Sequence, residues 1–409
     1  MLRLVLDFRL AGRNLRRSTS RSFVASLSVA GGVIAFVLAG GFVTWIFQEL
    51  RESTIHSQLG HIQIVRPGYF DKGVADPYAF LLPARSSEQA VIEQTAGVVS
   101  LTPRLAFTGL ASHGDVTIAF IGEGVDPVRE RPISSRITIM SGRDLVDASE
   151  PALLLGEGLA ASLGARAGDT IVLLATASSG SPNAVEVKVV GTFSTLYKDF
   201  DERALRLPIV LARKLMRVEG STSWVVSLDR TESTAEAVGL LSSRLPPGDF
   251  EVIPWSALAD FYNKTVVLFS KQVNVVRVII GLIIILTISN TLMMSVLERT
   301  REIGTCLAIG QRRALVMRMF LAEGVLIGFL GGVSGIAAGY LLAAVISYIG
   351  IPMPPPPGMA RGYNGQILVD LPLVIDAFSL ALFTTLIASV MPAWKASRMN
   401  IVDALRYNQ

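Results

Sequence analysis

Three histidines, one cysteine and seven lysines are the residues from which this chain would have to build a metal site, a nucleophile or a phosphate-binding loop. His56 and His61 are five residues apart. On a strand that spacing puts them on opposite faces, and it is not an adjacency on a helix, so a paired metal site is not expected. Cys306 is the only thiol, which rules out a disulfide within the chain. It reads as a small apolar filler. No lysine stands in the Gly-Lys-Ser/Thr context that lets backbone amides and an ammonium group hold nucleotide phosphates. A GxSxG nucleophile elbow is also missing. The chain is therefore expected not to be an enzyme, and to bind no cofactor or metal of its own.

The densest chemical pattern is of another kind. Residues Ser295–Phe320 read SVLERTREIGTCLAIGQRRALVMRMF. Glu298 with Arg301, and Arg299 with Glu302, are i,i+3 pairs that support a short helix. Gly304 and Gly310 read as breaks, Ile303, Leu307 and Ile309 as apolar contacts, and Arg312, Arg313 and Arg318 as further positive charge. Taken alone, the stretch resembles a nucleic-acid patch. Its flanks exclude that reading.

On either side lie runs long enough to cross a bilayer, which takes roughly 20 apolar residues. The chain has 409 residues, 51% hydrophobic and 17% charged, with a mean hydropathy of +0.50. Phe23–Phe47 and Val278–Leu297 carry no charge. Leu321–Ile349 is interrupted only by Glu323, and Leu371–Met391 only by Asp376. Four membrane helices are expected. The first is read as a retained helix, because its apolar run is too long for a signal-peptide core.

Arginines set the orientation. Arg3, Arg9, Arg13, Arg16, Arg17 and Arg21 precede the first span, five arginines separate spans two and three, and Lys395, Arg398 and Arg406 follow the fourth. Positive charge stays cytoplasmic, so both termini and the charged stretch are expected in the cytosol. The expected order is an interfacial amphipathic helix (1–21), a membrane helix (22–48) and an external α+β domain (49–270). There follow a second membrane helix (273–297), a cytosolic segment (298–318) and a third membrane helix (319–349). A Pro-rich outer loop (350–370), a fourth membrane helix (371–392) and a cytosolic tail (393–409) complete it.

Within the third span, Gly324, Gly328 and Gly332 recur every four residues, as do Gly331, Gly335 and Gly339. Small residues at this spacing let helices approach closely in lipid, either within one chain or between two copies. Glu323 and Asp376 read as interfacial. In the external region, His61–Val65, Val116–Gly122, Thr170–Ala175 and Val185–Phe193 read as strands. Glu157–Leu163 and Ala235–Leu245 read as helices.

The block LERTREIGTCLAIGQRRALVMRMFLAEG resembles the segment after the second span in permeases of the MacB / LolC–LolE / FtsX family. The matching positions are Glu298, Arg299, Arg301, Glu302, Ile303, Gly304, Ala308, Gly310 and Arg313. LAGRNLRR, the strand pair ending in VVGTF, and MPAWKASRMNIVDALRY also resemble that family. The resemblance implies an ABC transporter permease with no nucleotide site of its own. ATP and Mg would be bound by a separate dimeric ATPase, which grips the short helix built from these residues and Leu307. It also implies a second permease copy, identical or homologous, lodged with it in the bacterial inner-membrane lipid. A periplasmic adaptor, chaperone or lipoprotein is an implied partner, and nucleic acid is not. The work implied is extraction or export of a lipoprotein, lipid, peptide or small molecule. The alternative is FtsX-like signalling to a cell-wall hydrolase, although FtsX-like members have much smaller external domains. LolC-type members capture their chaperone with a long hairpin, and the corresponding turn here, Thr176–Ala184, is shorter.

Overall fold

The computed structural model describes residues 11–14, 19–73, 76–354 and 362–406. Most of the expected interfacial helix and residues 355–361 of the outer loop lie outside the described residues. The chain divides into two compact units: Met1–Phe47, Thr265–Pro352 and Asn364–Gln409 form one, and Gln48–Lys264 with Met353–Tyr363 the other.

The first unit is built on four long helices, Thr19–Thr54, Asp260–Glu298, Arg313–Ile349 and Leu371–Ser397, each apolar and long enough to cross a membrane, though the first from Gln48 on and the second up to Lys264 belong to the other unit. The second begins at Asp260, well ahead of its charge-free run, because polar residues as far as Arg277 continue the same helix. Asp370 caps the fourth by accepting from the Leu373 amide at 3.0 Å. Pro392 sits inside that helix, as membrane helices tolerate.

The glycines of the third helix are spent within the chain. A Cβ on Gly324 would lie 2.6 Å from Ser389, and one on Gly328 would collide with Thr385, so this stripe packs on the fourth helix. Cβ atoms on Gly331 and Gly335 would lie 2.6 and 2.8 Å from Val29 and Val33, so the other stripe packs on the first. Dispersion and close packing, rather than hydrophobicity, hold helices together in lipid, and both stripes serve that end. Asp376 is not isolated. Its carboxylate lies 3.5 Å from Arg277, whose guanidinium also stands over the Phe36 ring.

The external unit contains strands β1 (Ile62–Val65), β2 (Val98–His113), β3 (Val116–Val125), β4 (Thr138–Gly142) and β5 (Ala152–Gly156). Then come β6 (Thr170–Thr176), β7 (Pro182–Ser194), β8 (Ala204–Pro208), β9 (Ser223–Leu228) and β10 (Glu251–Pro254). The 16-residue β2 serves two sheets. Its first half pairs with β9, which continues through β1 to β10. Helices Ser87–Glu93 and Thr234–Arg244 cover this sheet, with Trp224, Ile62 and Ile64 of the strands and Leu241 of the latter helix fully buried between the layers.

The second half of β2 enters a ring. It pairs with β3, β3 with β8, β8 with β5, β5 with β7, β7 with β6, and β6 again with β2. These six strands close a small barrel, parallel at β3/β8 and β5/β7, which leaves few exposed edges. Alternation along β6 fixes the inside: Ile171, Leu173 and Ala175 point inward with Leu105, Phe107, Leu205 and Val187. Gly122 lets the Phe107 ring approach the backbone, where a Cβ would lie 2.5 Å from the ring. The β6–β7 hairpin is tight, closed by the Ala177 amide donating to Ser181 O at 2.9 Å.

One expectation is corrected. His56 does not share a strand with His61. It lies in a single π-helical turn, Ile55–Leu59, that ends the first long helix. The turn brings the two rings edge to face at 5.2 Å. Among the described residues no cluster suited to a metal forms.

Candidate functional site

The charged stretch folds as an elbow between the second and third long helices. The second helix ends at Glu298, and Thr300 Oγ1 bonds back to Leu297 O at 2.7 Å as the chain turns. A short helix, Thr300–Ala308, follows. It stops at Gly310, whose φ of +96° an L side chain rarely adopts. Arg313 then begins the third long helix. Gly304, expected as a break, lies inside the short helix instead. Its role is steric: a Cβ there would lie 2.7 Å from Ala404 of the C-terminal helix Ile401–Arg406.

The elbow has two faces. Ile303 and Leu307 are buried among Val296, Val316, Phe320 and Ala393, so these two apolar positions are used within the chain. Ile309 is 80% exposed. Around it Arg301, Glu302, Ala308, Gln311, Arg312 and Arg313 are also exposed. Each feature follows from the 3.6-residue repeat: positions 303, 304 and 307 share one side of the helix, and 301, 302, 305 and 308 the other.

Charge ties the buried side down. Of the two expected i,i+3 pairs, Arg299–Glu302 forms at 3.5 Å. Glu298 turns to Arg21 of the first helix rather than to Arg301. The Arg299 fork reaches further, placing Nη1 3.0 Å from Oε1 of Glu323. The Glu323 side chain is 4% exposed, buried within the protein against the Arg299 guanidinium. Asn14 bonds to the same carboxylate. Sequence spacing gave no sign of this contact, because 24 residues and a turn separate Arg299 from Glu323.

An apolar four-helix unit, an α/β domain between its first two helices and a charged elbow after the second define a class of polytopic permease. Comparison with known proteins narrows it. Residues 22–243 match the MacB-like periplasmic core domain, and residues 274–401 the FtsX-like permease C-terminal domain. The first match covers more than half of the chain, and the protein belongs to this family of ABC transporter permeases.

Among curated relatives, the ABC transporter permease YvrN of Bacillus subtilis is 28% identical over 241 residues, 55% of this chain and 56% of its own length. MacB of Hyphomonas neptunium is 32% identical, over 51% of this chain and 31% of its own. The chain thus spans about half or less of these two. The lipoprotein-releasing system protein LolC of Xylella fastidiosa is 26% identical across 97% of this chain and 96% of its own. The periplasmic region of MacB from Actinobacillus actinomycetemcomitans superposes with a TM-score of 0.37 at 15% identity, covering 51% of this chain and 94% of that one. The protein is a membrane permease with an extracytoplasmic domain.

Proposed function

We propose that this chain is the permease subunit of an ABC transporter whose ATPase is a separate, dimeric chain docking on the elbow. Both termini and the elbow then lie in the cytosol, as the arginine distribution favours. The second permease is another copy or a homologue. The observation that carries this reading is the division of labour within the elbow. Ile303, Gly304 and Leu307 anchor it to the second, third and C-terminal helices, while Ile309, Arg301 and Arg313 stand outward beside them. A rigid base with an exposed apolar residue ringed by arginines fits a partner protein better than bare solvent. ATPase closure felt at the elbow reaches the second and third helices directly, because the elbow is continuous with both.

Of the substrate classes, extraction of a lipid-anchored protein is favoured. The relative named for lipoprotein release aligns along nearly its whole length. MacB relatives are matched over a smaller share of theirs. The tight β6–β7 hairpin offers no long hook, so handover to a carrier would use another surface.

The test is co-purification with the partner ATPase from membranes. Arg301→Glu with Arg313→Glu is expected to abolish ATPase recovery while the permease stays inserted at its normal level. Unchanged recovery of the ATPase sinks the elbow as its docking site.

A further inference from the structure

The outer end of the first long helix is held in an unusual way. A helix leaves its last carbonyls without partners in the chain's own repeat. Here the terminal π turn, Ile55–Leu59, presents three successive carbonyls to the external domain. His56 O accepts from the Arg136 amide at 3.0 Å. Ser57 O accepts from Arg206 Nη2 at 3.2 Å. Gln58 O accepts from Arg104 Nη1. Gly60, at φ +66°, then ends the turn by donating to Ile55 O.

Arg104 lies on β2 at the last residue paired with β9, just before that strand enters the barrel, and Arg206 lies on barrel strand β8. They are 5% and 3% exposed. Two carboxylates hold them in place. Arg206 donates to Glu123 at 2.8 Å and to Ser134 at 2.9 Å. Arg104 donates to Glu130, itself 4% exposed, and lies 3.8 Å from Glu123. Burying four charges is a poor way to gain stability, since apolar residues of similar volume often serve as well. Their forked donors do what apolar side chains cannot. Each guanidinium satisfies a carboxylate and a helix-end carbonyl at once.

We propose that this carbonyl socket locks the barrel to the π turn Ile55–Leu59, both within the external unit, with Arg104 and Arg206 as its positioning residues. The socket itself is independent of the permease reading. Only its use in transmitting helix movement to the external domain rests on that reading. The parallel β3/β8 pair carries Glu123 and Arg206 side by side, so a displacement of the turn is delivered straight into two barrel strands.

The experiment uses the full-length chain in nanodiscs, with Cys306→Ser and spin labels at Gln48→Cys and Glu186→Cys, both exposed positions. The parent is expected to give a narrow distance distribution. Arg206→Met with Glu123→Met removes the pair and the Ser57 donor while leaving the volume filled. It is expected to keep the unfolding midpoint and at least double the width of the distribution. A distribution as narrow as the parent's overturns the proposal. Should the apolar pair fail to fold, Arg206→Lys keeps the charge beside Glu123 but loses the fork. The same broadening is expected, and an unchanged width overturns the proposal equally. The readout needs neither nucleotide nor ATPase, so its failure is distinguishable from failure of the permease reading.

Discussion

Arg299 Nη1 lies 3.0 Å from Oε1 of Glu323, joining the elbow to the third long helix through a carboxylate that is otherwise buried. Removing one member of such a pair leaves the other charged in a low-dielectric site. Arg299→Ala is therefore expected to lower stability by about 3 kcal/mol or more. The double variant Arg299→Met, Glu323→Met is expected to recover most of the loss. Thermal unfolding of the detergent-solubilised protein checks both. Equal melting of the single variant and the parent would contradict the pairing.

The two glycines of the elbow differ in kind. Gly310 needs its positive φ, so Gly310→Ala should cost about 1 kcal/mol through backbone strain alone. Gly304 has ordinary helical geometry but touches Ala404. Gly304→Leu is expected to displace the helix Ile401–Arg406, and limited proteolysis should then clip the C-terminal segment faster than in Gly310→Ala. Identical proteolysis of the two variants would contradict this distinction.

Gly335 stands against Val33 at the crossing of the first and third helices. Gly335→Leu is expected to force the helices apart and destabilise the unit by about 2 kcal/mol. Thermal unfolding checks it, and a Gly335→Leu variant that melts with the parent would contradict the contact.

The external unit should show a pH response that depends on His61. His61 Nδ1 accepts from the Leu228 amide at 3.1 Å, and Nε2 donates to Thr231, which in turn donates to Glu52. Burial, with His56 nearby, pushes the imidazole down to about 4. The folded state thus holds His61 neutral while the unfolded chain protonates near its ordinary value. Its contribution is fully present above about pH 6.5 and is lost as pH falls toward 4, on the order of 3 kcal/mol in all. His61→Gln is expected to flatten the stability–pH curve between those values in urea titrations. A variant with the parent's slope would rule out His61 as its source.

Much of this was legible in the sequence. Charge-free runs announce membrane helices because the bilayer demands internally satisfied backbone. Alternation over β6 and β7 is visible since one face fills the barrel. β2 was not, because Pro103, Arg104 and Gly109 break its apolar pattern. Arg104 sits there to reach Gln58 O and Glu130, partners 46 and 26 residues away, which no local spacing encodes. The elbow shows the same division. Its helix is local and readable, but Glu298 choosing Arg21 and Arg299 choosing Glu323 depend on how distant helices meet.

An ATPase that grips the exposed side of the elbow would meet Ile309, its most exposed large apolar residue at 80%. Photo-crosslinking from a benzoylphenylalanine placed at Ile309 in intact cells tests it most directly. A single major adduct is expected, with a protein that carries a nucleotide-binding P-loop. An adduct with lipid or water-quenched probe alone, in membranes where the permease and its ATPase are both present, would contradict it.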